Sequence, residues 1–224
     1  MSAPSSRATG LDRIHAATRN SAATAAQAAG EYAGLTRDYV MRGKLTVSAC
    51  HERFVERLRE YDAEVVECAP EGLADAIRAQ LAASGRRKFV VPEGLPAEWL
   101  AEGFEWKIDR GLTAQDVEQA EGVVTACFCG VAESGTIVLH HSAAEGRRVI
   151  SLLPDWHLCV VRASQIVETL PEYFARYEEP PRLVTWISGP SATADIEMTR
   201  IKGVHGPRFL NVIVVKDKDQ GLGD

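Results

Sequence analysis

A carboxylate, two hydroxyls and a glycine come together in the segment Val131–Thr136, a grouping that could do chemistry. Glu133 follows an apolar run, and Gly135 permits a positive φ or a close backbone approach. Ser134 and Thr136 place hydroxyls beside the carboxylate. The pattern predicts a carboxylate in a crevice at a strand end, where open α/β sheets bind ligands. The alternative is a turn in which Glu133 only accepts hydrogen bonds from nearby backbone N–H groups.

A second segment, residues 186–197, runs from an apolar strand through Ser-Gly-Pro-Ser into a stretch interpreted as a helix over residues 195–201. Free N–H groups at the start of a helix bind anions, and serine or threonine hydroxyls would add donors. The segment therefore predicts a site for a phosphate, a carboxylate or an oxyanion, provided that its two acidic residues turn away. Ordinary helix capping is the alternative. The candidate ligand-binding residues here are Ser188, Gly189, Ser191, Thr193, Asp195 and Glu197.

A third segment, Lys202–Pro207, carries His205 after the interpreted helix and before the final strand. A loop imidazole can serve as a general base or a hydrogen-bond donor, and Gly206 beside it is a candidate for ligand contact. A histidine on ordinary polar surface is the alternative. Further cationic and imidazole side chains lie around other strand ends, without a spacing that indicates a site: His140, His141, Arg147, Arg148 and His157.

The cysteines do not predict metal or redox chemistry within the chain. There are five of them, Cys50, Cys68, Cys127, Cys129 and Cys159. Cys127 and Cys129 should lie on one face of a strand, but they are not a C-x-x-C pair, and no second pair completes a zinc or iron–sulfur site. Buried, reduced thiols are predicted instead. The sequence also lacks phosphate-loop, dinucleotide-binding, zinc-protease and nucleophile-elbow motifs.

Composition limits the class of protein. The 224 residues are 46 % hydrophobic and 25 % charged, and the formal net charge of −6 argues against a dominant nucleic-acid role. No stretch has the length and apolarity of a membrane span, and the N-terminus does not read as a secretory signal. Together with the odd number of cysteines, these features lead us to expect a cytoplasmic protein without disulfides.

The elements that position these segments alternate between strands and helices, which predicts an α/β fold with a mostly parallel sheet flanked by helices. We expect a helical extension over residues 1–45, partly disordered in its first ten residues, an α/β domain over 46–216 and a polar tail over 217–224. Apolar runs predict strands at 63–68, 88–92, 104–108, 122–127, 135–140, 148–153, 157–161, 182–187 and 209–215. Helices are predicted at 11–32, 50–61, 70–83, 96–101, 163–176 and 195–201, and Pro171 marks a new helix start within 163–176.

Taken in order, these segments resemble the lactate-utilisation (LUD) domain family. The resemblance covers about residues 50–215, and the ordered set of motifs is more specific than any one of them. Two positions depart from the family pattern, which has threonine at Ser134 and often an acidic residue near Phe128. The matching stretches are 132–139, 151–154 with His157 and 160–161, 188–191, 194–197 and 203–207.

The resemblance implies a fold similar to the sugar-phosphate isomerase and CoA-transferase group. It also implies a part in oxidising L-lactate to pyruvate, as an accessory companion to two subunits that carry the iron–sulfur clusters, with no cofactor held in this chain. It does not supply a catalytic role for this subunit. The segments would then converge at the carboxyl ends of strands, with a lactate carboxylate at the helix start near Ser191–Ala194.

Two other functions stay open at the level of sequence. An independent enzyme would use Glu133 as a carboxylate nucleophile, as CoA transferases do, or as the proton-transfer base of a sugar-phosphate isomerase. His205 is the second catalytic candidate for such an enzyme. A ligand-sensing module is the third class. Activity of the purified single chain that is lost in Glu133→Gln would distinguish the enzyme from an accessory subunit.

Overall fold

The computed structural model describes residues 6–18, 25–36, 38, 40–176, 179, 181–194, 200–203 and 205–216. The chain divides into two compact units, Met1–Tyr39 and Val40–Asp224. The first unit contains helices α1 (Ser6–Thr18) and α2 (Ala25–Ala33), and alanine, the strongest helix former, is frequent in both. The start predicted for the first helix, residue 11, is wrong, because α1 already begins at Ser6 within the stretch expected to be disordered. Residues 19–24 lie outside the described part of the chain.

The second unit is built on a six-stranded sheet in which every described pairing is parallel, in the order β1-β12-β7-β4-β2-β3. In chain order the strands are β1 (Glu64–Cys68), β2 (Lys88–Pro92), β3 (Glu105–Asp109), β4 (Gly122–Thr125), β5 (Cys129–Val131), β6 (Thr136–Leu139), β7 (Trp156–Arg162), β8 (Ile166–Val167), β9 (Thr185–Ile187), β10 (Ala192–Ala194), β11 (Arg200–Lys202) and β12 (Phe209–Val215). The helices are α3 (Val47–Glu60), α4 (Leu73–Ala83), α5 (Ala114–Glu118) and α6 (Leu170–Phe174).

Helices α3 and α4 pack on opposite faces of this sheet, as the alternation along β12 shows. Its residues 210, 212 and 214 share a buried cluster with Phe54 and Leu58 of α3. Its residues 213 and 215 share another with Ile77 and Leu81 of α4. Both helical pairs follow the spacing that the sequence shows, and both sheet faces are covered, as parallel sheets require. The predicted α/β class, a mostly parallel sheet flanked by helices, is confirmed.

A smaller mixed sheet carries two of the segments that the sequence singled out. Its order is β8-β5-β6-β9, with β6 antiparallel to both neighbours and β5 parallel to β8. Tyr173 of α6 is fully buried against it, beside Val131 and Val138. The turn at 132–135 joins β5 to β6, and the Ser-Gly-Pro-Ser stretch follows β9. These two segments are therefore neighbours through the β6–β9 pairing.

A predicted strand and part of a predicted helix in the middle of the domain are wrong. Residues 148–153 form turns instead of a strand, since Ile150 N–H donates to the Arg147 carbonyl at 3.1 Å and Leu153 N–H to the Val149 carbonyl at 3.1 Å. Residues 163–167 do not form an α-helix as predicted, whereas the new helix start predicted at Pro171 agrees with α6, in which proline occupies the first turn. A 3₁₀ turn and the short strand β8 come first, because β-branched Ile166 and Val167 pair with β5. The helix α6 begins only after the capping box of Thr169 and Glu172.

The cysteines are free thiols, and three of them, Cys127, Cys129 and Cys159, are buried as predicted. The expectation that Cys127 and Cys129 share a strand face is wrong. The strand β4 ends at Thr125, and the two thiols enter different buried clusters. Burial raises the pKa of the Cys129 thiol to about 11, so this sulfur is a packed, unreactive thiol. Within the described residues, no helix is long and apolar enough to cross a membrane.

Candidate functional site

A cavity of about 220 Å³ opens at the amino ends of β7 and β12. We call it the Arg148 cavity. His157 and Leu210, the second residues of these two strands, form part of its wall. The expectation that the candidate segments converge at the carboxyl ends of the strands is wrong for this cavity. The strand β9 belongs to the smaller sheet, and the loop that follows it lies at the amino ends of β7 and β12 in the parallel sheet. The polar lining residues are Arg148, Ser151, His157, Thr185, Ser188, Ser191 and His205.

His157 is a buried imidazole with one unsatisfied nitrogen. The residue is 1 % exposed, and its Nε2 shares a hydrogen bond of 2.8 Å with the Thr125 hydroxyl. Its Nδ1 is buried and has no hydrogen-bond partner. Burial lowers the pKa of His157 to about 4, and the positive charge of Arg148 adds to this shift. The ring is therefore neutral at physiological pH and presents Nδ1 as an unused polar atom.

Arg148 provides the positive charge of the cavity. Its half-buried guanidinium donates to the Ser151 hydroxyl at 3.2 Å and to the His205 carbonyl at 3.2 Å. Burial lowers its pKa from the ordinary value, but arginine keeps its charge in proteins. None of the carboxylates in the described residues pairs with it. An arginine held by neutral acceptors in this way is free to bind a carboxylate or phosphate.

The loops after β9 and β11 are tied to each other at the rim of the cavity. His205 N–H donates to the Ser191 hydroxyl at 2.9 Å, and Ser191 N–H donates to the Pro207 carbonyl at 2.8 Å. These bonds hold the loop backbones in place and leave the His205 imidazole exposed at the edge of the cavity. His205 thus lies where the sequence placed it, in a loop beside a candidate ligand site.

The sequence-predicted residues separate into groups. Those that line the Arg148 cavity are Ser188, Gly189, Ser191, His205 and Gly206. Thr136 and Ser134 lie behind it, connected through Ser188. Thr193 is on β10, and Asp195 and Glu197 lie outside the described residues.

Glu133 lies apart from these residues. Its side chain is exposed and lines a second cavity of about 280 Å³ together with Lys44, Arg53 and Glu168. The two catalytic candidates, Glu133 and His205, therefore do not share a cavity. The geometry gives no support to a carboxylate nucleophile that acts on a ligand held by the Ser-Gly-Pro-Ser loop.

The helix predicted over 195–201 is wrong at its end, because residues 200 and 201 lie in β11, whereas residues 195–199 lie outside the described part of the chain. Residues 192–194 form β10, which pairs antiparallel with β11 (Arg200–Lys202). Thr193 lies opposite Ile201 in this hairpin, and such β-branched cross-strand pairs favour a strand over a helix. Any anion in the Arg148 cavity would be bound by side chains instead of a helix N-terminus.

Arg148, Ser151 and His157 were not among the sequence-predicted site residues. The signal for His157 was a polar residue inside the apolar run of β7, a pattern that a core histidine gives equally well. The sequence pattern at 148–153 predicts a strand, and a strand gives no reason to place Arg148 and Ser151 in one site. In a strand these two side chains would point to opposite faces, whereas the turn brings them together.

Gly135 packs closely against helix α3. It has φ = 62°, and an added Cβ would lie 2.7 Å from the Arg57 Cβ and 2.9 Å from the Leu58 backbone nitrogen of α3. We expect Gly135→Ala to lower the free energy of unfolding by about 2 kcal/mol or more, measured by urea denaturation. Gly85→Ala is the matched control, since Gly85 has φ = 68° and no atom within 4 Å of an added Cβ. Its expected cost is about 1 kcal/mol, and equal costs would contradict the packing role.

The burial of His157 predicts an unusually low titration midpoint for its imidazole ring. An NMR titration of its ring should give a midpoint near pH 4, as the buried site disfavours the imidazolium. Because the folded-state pKa lies below the ordinary 6.5, the free energy of unfolding should fall as the pH drops from 6.5 towards 4, by up to about 3 kcal/mol. A midpoint near 6.5 would contradict this burial, and His157→Gln should lack this part of the pH dependence.

Comparison with known proteins settles the family. The family model described as the LUD domain matches residues 51–215. The chain belongs to the LUD domain family. All residues that line the Arg148 cavity fall within the matched range. The resemblance stated from the sequence is thus confirmed, and the cavity lies within the part of this chain that the family model matches.

Two relatives of this chain are named lactate utilization protein C. The chain is 40 % identical over 181 residues to the lactate utilization protein C of Deinococcus radiodurans. The aligned region covers 79 % of this chain and 84 % of that protein. It is 33 % identical over 177 residues to the Bacillus subtilis protein of the same name, and this alignment covers 69 % of this chain and 73 % of that protein. A crystal structure of a DUF162 family protein from Deinococcus radiodurans has a TM-score of 0.65 and 36 % identity, and the match covers 77 % of this chain and 99 % of that one.

Proposed function

We propose that this LUD domain takes part in lactate utilisation by binding a small carboxylate, of the size of lactate or pyruvate, in the Arg148 cavity. The relatives named lactate utilization protein C support the role in lactate utilisation. The cavity volume of about 220 Å³ lies below the roughly 300–1,000 Å³ of pockets for drug-sized ligands. A ligand of few atoms is therefore favoured over a nucleotide or a coenzyme A ester.

The observation that carries this proposal is the pair of unmatched groups in one small cavity. Arg148 presents a charged guanidinium that no carboxylate of the described residues neutralises, and guanidinium groups bind carboxylates through two parallel hydrogen bonds. His157 presents a buried Nδ1 without a partner, an arrangement that costs stability unless a bound molecule completes it. A carboxylate with a polar substituent beside it would satisfy both groups.

Calorimetric titration of the whole chain with L-lactate and with pyruvate tests the proposal. For ligands of this size we expect dissociation constants of about 1 mM or lower. Lactamide, which keeps the hydroxyl and lacks the charge, is the matched control and should bind at least about tenfold more weakly. The proposal would be overturned if neither acid bound at a concentration several tens of times the expected dissociation constant.

We further infer an accessory place for this chain in a cytoplasmic system that oxidises L-lactate to pyruvate. Its proposed partners are subunits that carry iron–sulfur clusters, which would transfer the electrons while this chain holds the acid. Affinity purification of the tagged full-length chain from its native cell tests this inference. Iron–sulfur subunits should co-purify and carry L-lactate oxidation activity with them, whereas recovery of the chain alone would contradict the accessory role.

A further inference from the structure

Three hydroxyl groups form a chain behind the wall of the Arg148 cavity. The Ser134 and Thr136 hydroxyl oxygens lie 2.7 Å apart, and the Thr136 and Ser188 hydroxyl oxygens are also 2.7 Å apart. Thr136 is 4 % exposed, Ser188 lines the cavity, and Ser134 is half-buried in the turn between β5 and β6. The chain therefore links the cavity to the partly exposed turn at 132–135 through one buried link.

Each of these hydroxyls has a single proton, so the chain has two consistent orderings. In one, Ser134 donates to Thr136 and Thr136 donates to Ser188, which leaves the Ser188 proton free for a ligand. In the other, both hydrogen bonds are reversed, and Ser188 offers only lone pairs to a ligand. Neighbouring hydrogen bonds in such a chain reinforce each other, so the hydroxyls are expected to switch together.

We propose that this hydroxyl chain lets the Arg148 cavity bind both a 2-hydroxy acid and the corresponding 2-oxo acid, by reversing its direction to match the oxygen beside the carboxylate. The inference rests on the proposed function, since it needs an acid bound at Arg148. A 2-oxo acid has only an acceptor at that oxygen and requires the proton of Ser188. A 2-hydroxy acid has a proton to donate and is matched by the reversed order.

The neutral imidazole of His157 has the same adaptability. Either ring nitrogen can carry its proton, and the Thr125 hydroxyl that contacts Nε2 has a second acceptor in the Cys159 sulfur at 3.8 Å. The Nδ1 atom can thus donate to a ligand or accept from it. The cavity therefore combines one fixed charge for the carboxylate with two groups of adjustable polarity. Thr136 acts as a positioning residue, because it touches Ser188 and not the ligand.

The test fixes the direction of the hydroxyl chain by a substitution at Ser134, the end that lies away from the cavity. In Ser134→Asp the carboxylate can only accept, so Thr136 must donate to it and Ser188 must donate to Thr136. The Ser188 proton is then unavailable to a ligand. We expect the ratio of the dissociation constants of pyruvate and L-lactate, measured by calorimetry, to rise about tenfold relative to the unsubstituted chain. The added negative charge acts on both acids alike and leaves this ratio unchanged.

Ser134→Asn is the matched control, since an amide both donates and accepts and leaves the direction free. Its ratio should equal that of the unsubstituted chain. Thr136→Val is a second, independent variant of nearly unchanged shape that removes the middle hydroxyl. It should weaken both acids by the same factor, about threefold or more, because Ser188 loses its anchor. Circular dichroism verifies that each variant is folded.

The outcomes separate this inference from the proposed function. If the unsubstituted chain binds both acids but Ser134→Asp and Ser134→Asn give the same ratio, the hydroxyl chain has no role in ligand choice and the inference is overturned. Unchanged affinities in Thr136→Val would overturn the positioning role of Thr136. If the unsubstituted chain binds neither acid, the proposed function fails and the inference fails with it.

Discussion

Replacing Arg148 by Gln is expected to weaken the binding of L-lactate and pyruvate by about 30- to 100-fold. The guanidinium is the charged group in the wall of the cavity that can bind a carboxylate, and hydrogen bonds between charged groups contribute about 2–3 kcal/mol. Glutamine keeps a donor that can reach Ser151 but loses the charge and the paired geometry. Calorimetric titration of both variants at one ionic strength measures the difference.

Arg78→Gln is the matched control for the loss of one positive charge. Arg78 lies on α4, where its exposed side chain pairs with Asp75 at 3.0 Å. Screening by salt should limit the effect of this change to less than about twofold. If Arg148→Gln bound both acids with unchanged affinity, the ligand would have to be held elsewhere, and the assignment of the cavity would be wrong.

Replacing Asp109 by Ala is expected to have the largest effect on stability, a loss of about 3–4 kcal/mol in the free energy of unfolding. The Asp109 carboxylate is 2 % exposed and accepts from Arg147 at 2.6 and 2.8 Å. It also accepts from the N–H groups of Gly111 and Leu112 at 3.2 and 3.1 Å. Alanine removes the acceptor of all of these donors, and within the described residues only Arg147 Nη2 keeps another partner, the Leu112 carbonyl at 2.8 Å. Since Arg147 precedes Arg148, the change also removes an anchor of the turn that carries Arg148.

The ion pair of Glu93 with Arg110 provides the control in the same region of the chain. Its atoms are 3.0 Å apart, but both side chains are more than 60 % exposed, so Glu93→Ala should cost no more than about 1 kcal/mol. Urea denaturation of the two variants measures the difference. Equal losses would show that the burial of Asp109 does not strengthen its contacts.

The pH dependence of stability gives an independent check on Asp109. The hydrogen bonds from Arg147 lower the pKa of this carboxyl below its ordinary value, which outweighs the opposing effect of burial. Its stabilisation is therefore present above about pH 4 and is lost as the pH falls through the lower, folded-state pKa. The Asp109→Ala variant should lack this part of the acid-side decline. An unchanged decline would assign it to other carboxylates.

The sequence predicts the parts of this fold in which local pattern and tertiary packing agree. The strands at 88–92 and 209–215 are found residue for residue, because continuous apolar runs fit a sheet that is covered on both faces. The hydroxyls of Ser134 and Ser188 lie in one hydrogen-bonded chain as a consequence of the β6–β9 pairing, which the sequence does not indicate. Gly135 does have the predicted positive φ, but its close neighbour is helix α3.

The errors occur where tertiary contacts override local preference. Residues 200 and 201, the end of the predicted helix over 195–201, instead pair with β10 in an antiparallel hairpin. The cavity itself depends on contacts between residues far apart in the chain, such as Thr125 with His157 and Arg148 with His205. No spacing in the sequence encodes such pairs, so Arg148 and His157 became site residues only once the sheet and the loops were in place.

A high-resolution crystal structure of the chain with bound pyruvate tests the central claim most directly. We expect density for one pyruvate in the Arg148 cavity, with its carboxylate on the Arg148 guanidinium and its keto oxygen within hydrogen-bond distance of His157 Nδ1 or the Ser188 hydroxyl. Pyruvate bound at another place, or an empty Arg148 cavity at a saturating concentration of pyruvate, would contradict it.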